Sequence, residues 1–471
     1  MNAFKIYASG QFIESESPLE VKNPFNNTVV GTTWLANETI LDTAIEKALS
    51  TQEELQKIPA HLRYEILLYI SNKLKENKQH HAELLSLESG KPIRYAAAEI
   101  DRSIQTFLIA AEESKRLPKE YMSLDWTPNG EGKEGIVKYF PIGLIAGIAP
   151  FNFPLNLAVH KLAPAIATGC PIILKPASAT PLSTLELAKI IDETILPKGA
   201  VSIIPMNRTS GNRMVTDERF KLLSFTGSPV VGWEMKKQSG KKKVVLELGG
   251  NAGVIVSSAS DMNDVIQKSV SGAFAYSGQI CIHAQRFIVR DTLYKEFKEQ
   301  LIEQSKKLKQ GNPIETSTDV SSMIDEENAV RVEQWINEAV KEGAEVLLGG
   351  KRNGTFVEPT ILTNCNSGMK VYAEEVFGPV ICIETFSGHI SEAVKKLNDT
   401  KFGLQCGVFT DSVTELDYCF NHIEVGGIIH NNVPTLRFDQ MPYGGVKESG
   451  LGREGVKYAM MDMLEPKILV K

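Results

Sequence analysis

The feature that most constrains the fold is an alternation, between Gly143 and Val256, of short β-rich apolar runs with amphipathic segments. GLIAGIA, PIILK, VSIIP, LLSFT, VVLEL and GVIV follow one another in this way. Strands separated by helix-length segments argue for βαβ units and a mainly parallel sheet covered by helices on both faces. A second α/β region follows, with RFIVR, EVLLG, VICIETF, CGVFT and GGIIH separated by helices such as the one near Glu326 to Glu342; it predicts a separate lobe. Ahead of both, residues 38–117 carry apolar positions three and four apart, such as Leu67, Ile70 and Leu74, and predict a helical layer. YMSLDWTPNGEGKEGIVKYF, residues 121–140, has a turn-rich centre between extended runs and reads as a projecting hairpin.

A chain of 471 residues, 42% of them hydrophobic, buries enough core for two or three domains. Its net charge of −6 gives no basic footprint for nucleic acid, and the Lys-rich stretch 236–243 reads as a solvated helix end. Between Lys138 and Lys161 no charged residue occurs, a length that spans a bilayer. Pro141, Pro150 and Pro154, with Asn152 and Asn156, break it instead into a buried strand, a tight loop (PFNFP) and a helix start, so no membrane partner is expected. The cysteines at 170, 281, 365, 382, 406 and 419 lack C-x-x-C pairing and a His cluster, so neither a metal site nor a disulfide framework is expected. The N-terminal residues show no charged region followed by an apolar one, and a cytoplasmic location is expected.

In an open parallel sheet, ligands bind beyond the carboxyl ends of the strands, which directs attention to the loops after GLIAGIA, PIILK and LLSFT. Asn152 in PFNFP offers two amide donors suited to an oxyanion, or sits in the turn for its backbone. Lys175 in ILKPAS emerges where a nucleotide ribose would lie, or is an ordinary solvated lysine. Gly227 and Ser228 of FTGS open a helix whose N-terminus suits a pyrophosphate. Glu247 ends VVLEL, where desolvation raises a carboxyl toward a general base unless it is a cap or an ion-pair partner. Cys281, in SGQICIHAQR, has no acidic neighbour and is either an approachable nucleophile or simply a buried thiol. GLGREG, residues 450–455, matches the dinucleotide pattern by letter, but no βαβ unit surrounds it and only 16 residues follow; it reads as turn geometry.

Taken together, PFNFP, ILKPAS, FTGS, LELGG, GQICIHAQR, EEVFGPV and PYGGVKESGLGREG resemble, in order and along essentially the whole chain, the signature blocks of the aldehyde dehydrogenase superfamily. The resemblance implies an α/β fold with a Rossmann-like cofactor domain (1–120 and 141–248), an α/β catalytic domain (249–438) and a β-hairpin oligomerisation element (121–140 with 453–471), assembled as a homodimer or homotetramer. It implies NAD or NADP as cofactor and a small aldehyde as substrate. By the same resemblance Cys281 matches the nucleophile, Glu247 the general base and Asn152 the oxyanion donor. Lys175 matches the lysine on the adenosine ribose, Ser228 the residue near the pyrophosphate, and Glu375 with Phe377 the pair at the nicotinamide ribose and ring. Because a hydrolytic Glu is present, release of a carboxylic acid is expected rather than acyl transfer to coenzyme A.

Two departures bear on the cofactor. Ser178 stands where NAD-preferring relatives often carry Glu, so a 2′-phosphate meets no repelling carboxylate, and MNRTSGNRM (206–214) is poor in the expected spaced glycines. On the substrate side, Arg102 and Arg437 resemble positions in relatives acting on lactaldehyde, succinate semialdehyde and phosphonoacetaldehyde; either pairs with an anionic or hydroxylated tail, or makes a structural ion pair. Phe153 and His160 are further candidates, with packing against the sheet as the alternative for His160. Two other classes compete with this reading: a cysteine esterase or hydrolase using Cys281 with His283, and a non-catalytic structural protein that retains the fold.

Overall fold

The computed structural model describes residues 2–471. The predicted helical layer forms as four helices, Glu38–Lys57, Ala60–Glu76, Lys78–Ser89 and Ile93–Ser114. Asn37 caps the first by accepting from the Ile40 amide, and Gly90, at φ +69°, ends the third in the left-handed conformation a helix C-terminus favours. Leu67, Ile70 and Leu74 all face the core and are fully buried.

The first sheet has the strand order Gln11–Ile13, Ile6–Ala8, Val201–Ile203, Ile172–Lys175, Ile145–Ile148, Leu222–Thr226, Lys243–Glu247, Gly450–Leu451. Its five central strands are mutually parallel and run 3-2-1-4-5 in chain order, which is the Rossmann arrangement. The order reverses between Ile145–Ile148 and Leu222–Thr226, so the PFNFP and FTGS loops flank the switch point where such sheets bind ligands.

GVIV continues the alternation without a break, yet the strand it forms, Gly253–Val256, lies in the second sheet beside Arg286–Arg290 and Gln405–Phe409. Periodicity reports strands and is blind to a change of sheet; the crossing occurs at LELGG. That second sheet has seven strands among the described residues, all parallel except Glu345–Leu348 at one edge. The predicted hairpin pairs Lys119–Ser123 with Glu134–Pro141, and the C-terminal strand Leu464–Val470 adds to it antiparallel, with Ile468 opposite Val137. The uncharged stretch after Lys138 resolves into the buried strand Ile145–Ile148, the loop and the helix Asn156–Thr168; among the described residues no helix is long and apolar enough to cross a membrane.

Candidate active site

Cys281 sits just after a backbone segment held in an unusual conformation. Tyr276, Ser277 and Gly278 all have positive φ (48°, 53° and 69°), which is strained for the first two and persists only where neighbours over-determine it. They do: Tyr276 donates its hydroxyl to the Ser89 carbonyl at 3.1 Å, Ser277 to the Ser321 carbonyl at 2.7 Å, and the Gln279 side chain accepts from the Ile324 amide at 2.9 Å. The segment delivers the Gln279 carbonyl to Asn152 Nδ2 at 3.0 Å and the Cys281 thiol to the Tyr443 hydroxyl at 3.0 Å.

Asn152 is held from the other side as well. Lys91, fully buried and ion-paired with Glu99, donates to the Asn152 carbonyl at 2.7 Å and lies 3.8 Å from the centre of the Phe153 ring. Glu99 in turn accepts from the Leu155 and Asn156 amides, fixing the start of the following helix. One N–H of the Asn152 amide is committed to Gln279, which leaves the second for a ligand. Phe153 packs in the same small apolar cluster as Cys281, Tyr276 and Tyr443.

Burial pushes the Cys281 thiol up to about 11; the Tyr443 hydrogen bond and the Arg437 charge oppose the shift, while Glu375 and Glu247 add to it. Glu247 is 3% exposed, and among the described residues neither carboxylate oxygen accepts a hydrogen bond. Burial first, then repulsion from Glu454, raises its pKa well above the usual carboxyl value. A Cβ on Gly444 would lie 2.8 Å from Glu247 Oε1, so the PYGG turn approaches this carboxyl as only glycine permits.

Beneath these groups runs a buried ionic network whose acids, Glu454 and Asp439, the sequence does not single out. Glu454, from GLGREG, receives Arg437 at 3.0 Å and Lys161 at 3.2 Å, and Lys161 also donates to Thr226 at 2.8 Å. Burial works against the Glu454 carboxylate, but Lys161, Arg437 and His160 outweigh it and hold its pKa at about 2. His160 Nε2 lies 2.8 Å from Asp439, which Arg102 also grips at 2.6 Å through Nη2. Burial would raise Asp439, yet the bonds from His160 and Arg102 hold it well below the ordinary carboxyl range. Phe153 lies in the thiol cluster and Arg437 on the Tyr443 ring, while His160 and Arg102 join them through Asp439; Arg102 and Arg437 are each in an internal ion pair. The one available signal for Asp439, Tyr443 and Glu454 was their place in the TLRFDQMPYGG and GREG segments. His283 is not oriented toward the thiol: it bonds the Ala273 carbonyl at 2.8 Å, and burial lowers its pKa to about 4, so it is no base for Cys281.

The cofactor candidates divide between two places. Lys175, Ser178, Gly227 and Ser228 stand at the carboxyl ends of the first sheet. The Lys175 ammonium is desolvated, which lowers its pKa, and makes only a 3.5 Å contact with the Pro176 carbonyl. Ser178 is exposed, 3.4 Å from the Met206 carbonyl, and Ser228 precedes the helix Pro229–Gln238 without a side-chain cap, which leaves the helix start without that partner. The glycine-poor segment 206–214 enters the short helix Arg208–Thr216, whose Gly211 packs against the Lys175 stem, where a Cβ would lie 2.8 Å from Cε. Glu375 and Phe377 belong to the thiol side. Glu375 accepts from the Gly250 amide at 3.1 Å, its pKa is raised to about 8 by burial, and a Cβ on Gly249 would collide with its carboxyl at 2.0 Å. Phe377, at φ 47°, stacks edge-on against Phe151 at 5.8 Å. A desolvated ammonium without an ion-pair partner, an uncapped helix start and a half-buried carboxyl with one backbone donor fit a dinucleotide lying from the sheet edge to the thiol.

Comparison with known proteins gives the same answer. The model of the aldehyde dehydrogenase family matches residues 12–469. The chain is 38% identical to 3-sulfolactaldehyde dehydrogenase of Priestia megaterium, over 99% of this chain and 98% of that one. Its fold matches aldehyde dehydrogenase 21 from Physcomitrella patens, solved with the reaction product succinate, at a TM-score of 0.98 and 45% identity, covering 100% of this chain and 98% of that one. It matches glyceraldehyde-3-phosphate dehydrogenase from Methanocaldococcus jannaschii, solved with NADP, at a TM-score of 0.93 and 36% identity, covering 98% and 100%; other similar structures hold NAD+. With a thiol, an amide donor and an unpaired carboxyl gathered beside a Rossmann sheet, and with relatives of this kind along its whole length, the chain belongs to the aldehyde dehydrogenase family and oxidises an aldehyde with NAD(P).

Proposed function

We propose that the chain oxidises a short aldehyde with an anionic or hydroxylated tail to the carboxylic acid, through a thioester on Cys281 that Glu247 hydrolyses. The observation that carries this reading is the Glu247 carboxyl, buried beside the thiol cluster with no protein donor on either oxygen. A carboxyl so placed has no structural work and is poised to take a proton from water. Cys281 attacks the carbonyl carbon as the thiolate. The second N–H of Asn152 and the Cys281 amide stabilise the oxyanion, about 3–4 kcal/mol for one such donor. NAD(P), when bound, supplies the acceptor for the hydride that leaves the carbon. Glu247 then deprotonates the water that attacks the thioester, and the acid departs. In this reading Lys175 holds the adenosine ribose, Gly227 and Ser228 the pyrophosphate, and Glu375 with Phe377 the nicotinamide end. Residues 1–120 and 141–248 form the cofactor domain and 249–438 the catalytic domain. The three-stranded sheet of 121–140 with 453–471, which exposes Trp126 and Leu469, serves self-association.

The decisive experiment is mass spectrometry of protein quenched during turnover of p-nitrophenyl acetate, which acylates the nucleophile without cofactor. An acetyl adduct on Cys281 is expected. An adduct on any other cysteine overturns the assignment.

The relatives support the substrate class. Names such as 3-sulfolactaldehyde dehydrogenase and lactaldehyde dehydrogenase, and a neighbour solved with succinate, all concern short compounds with charged or hydroxyl tails. Arg102 is the cleaner probe of the tail, because its side chain is 28% exposed, whereas that of Arg437 is 5% exposed and lies on Glu454. A guanidinium carries five N–H groups, and the two that Arg102 directs to Asp439 leave others for a carboxylate. Arg102→Leu is expected to raise KM for succinate semialdehyde about tenfold, the worth of one charged hydrogen bond, and to leave that for propanal unchanged. Equal losses on both substrates would assign Arg102 to structure alone.

Ser178 beside Lys175 supports acceptance of NADP. Ser178→Glu is expected to lower kcat/KM for NADP relative to NAD at least about tenfold, since the new carboxylate repels a 2′-phosphate and accepts from both ribose hydroxyls. An unchanged ratio would remove this loop from the ribose site.

A further inference from the structure

We propose that Tyr443 is a further catalytic residue, whose phenol donates a hydrogen bond to Cys281 Sγ and stabilises the thiolate, with Arg437 as the residue that positions the ring. The inference rests on Cys281 being the nucleophile. The hydroxyl and the sulfur are 3.0 Å apart, and Tyr443 is 3% exposed. A buried tyrosine hydroxyl ordinarily finds an oxygen partner. Here the phenol oxygen is directed at a sulfur, which accepts weakly as a thiol but strongly as a thiolate, when the bond becomes charge-assisted. The contact is therefore worth more in the reactive state than at rest, as a catalytic contact requires.

The ring is fixed on every side. The Tyr443 amide donates to the Glu454 carbonyl at 2.9 Å, and the Glu454 amide donates back at 2.6 Å. The Arg437 guanidinium lies 3.7 Å from the ring centre while Glu454 anchors its Nη2. Either group can donate while both are protonated, but a thiolate has no proton to give; burial, with Cys281 and Glu247 adding and Arg437 opposing, raises the phenol well above its ordinary value, so Tyr443 keeps its proton and donates to the thiolate. Four titratable or charged side chains act on the thiol. Glu375 and Glu247 oppose the thiolate, Arg437 and Tyr443 favour it, and among these Tyr443 alone makes a direct hydrogen bond to sulfur. When the S–H bond breaks, its proton passes to water, and the electron pair left on sulfur meets the phenol O–H.

The test measures the thiol without cofactor or aldehyde. Wild type and Tyr443→Phe, which keeps the ring under Arg437, are alkylated with iodoacetamide from pH 7 to pH 11, and modification of Cys281 is followed by peptide mass spectrometry; the S–C bond forms as iodide leaves. Loss of one charged hydrogen bond is expected to raise the apparent thiol pKa by about one unit, so that alkylation at pH 8 slows about tenfold while the rate extrapolated to full ionisation is unchanged. Thermal melts of the two proteins, expected to match within a few degrees, separate this from misfolding. An unchanged pKa, or a rate lowered equally at every pH, overturns the role of Tyr443. If Cys281 is not acylated by the ester probe above, it is the nucleophile assignment that has failed instead.

Discussion

Glu247→Gln is expected to release one equivalent of reduced cofactor per active site in a rapid burst and then to turn over about 100-fold or more slowly, because a positioned general base contributes on that order. The amide fills the same space, and the site demands no salt bridge of it, since neither oxygen of the native side chain is bonded to the protein. Its loss therefore removes a proton acceptor and little else. The first half-reaction does not use Glu247 and goes through once; the acyl group then remains on Cys281. Cys281→Ser is expected to show no burst, because a serine hydroxyl in a site this desolvated offers no anion to attack with. The pH dependence carries a sign as well. Burial and Glu454 hold the Glu247 carboxyl protonated to higher pH than usual, so hydrolysis of the acyl-enzyme rises with pH through that raised value, and the limb is absent in Glu247→Gln. Stopped-flow traces with quenched-protein mass spectrometry check all three, and a Glu247→Gln enzyme at the parental rate would free Glu247 of this role.

The sheet and its ligand edge were legible because hydrophobic periodicity is a local property. Five strand segments and the PFNFP and FTGS loops lie in that sheet where alternation predicts, and the 3-2-1-4-5 order adds which of them are neighbours; the sixth segment, GVIV, lies in the second sheet. Glu247 and Asn152 stand out as polar groups where apolar strands end and Cys281 as a thiol without an acidic neighbour, but each keeps a structural alternative, and their catalytic roles are implied by the resemblance of the ordered blocks. What could not be read was the chain of contacts joining distant segments. Tyr443 meets Cys281 across 162 positions and Lys161 meets Glu454 across 293. Nothing within a window of sequence reports either. Arg102 and Arg437 illustrate the same limit: their charge was visible, but the acids Asp439 and Glu454 that hold them were not sought. GLGREG is the sharpest case. Reading it as a turn describes its second part, with Gly452 and Gly455 both at positive φ, but misses the edge strand Gly450–Leu451 and the insertion of Glu454 into the buried ionic network.

Glu454→Gln follows from that insertion and is expected to cost about 3–5 kcal/mol of stability near neutral pH, the range for removing one partner of a buried ion pair. Glu454 is the shared counter-ion of Lys161 and Arg437, which are 1% and 5% exposed as side chains, so its neutralisation strands two cations where water cannot reach them. The pH dependence is fixed by the direction of its shift. A carboxylate held at about 2, below its ordinary value of 4.5, contributes stability that is fully present above 4.5 and lost as pH falls through 2. The deficit of the variant is thus full at pH 7 and shrinks as the wild type is itself protonated, so denaturant melts at pH 7 and pH 4 should differ more widely at pH 7. A second consequence runs through Glu247. Repulsion from Glu454 is, after burial, the main cause that raises Glu247, and Lys161 and Arg437 already act to lower it. With Glu454 neutral, the two stranded cations turn to Glu247, whose pKa falls. The rising limb of acyl-enzyme hydrolysis then moves to lower pH, while the weaker base takes its proton from water more slowly at the plateau. Melts that differ equally at the two pH values would show that Glu454 is not the buried anion described here, and an unmoved limb would uncouple it from Glu247.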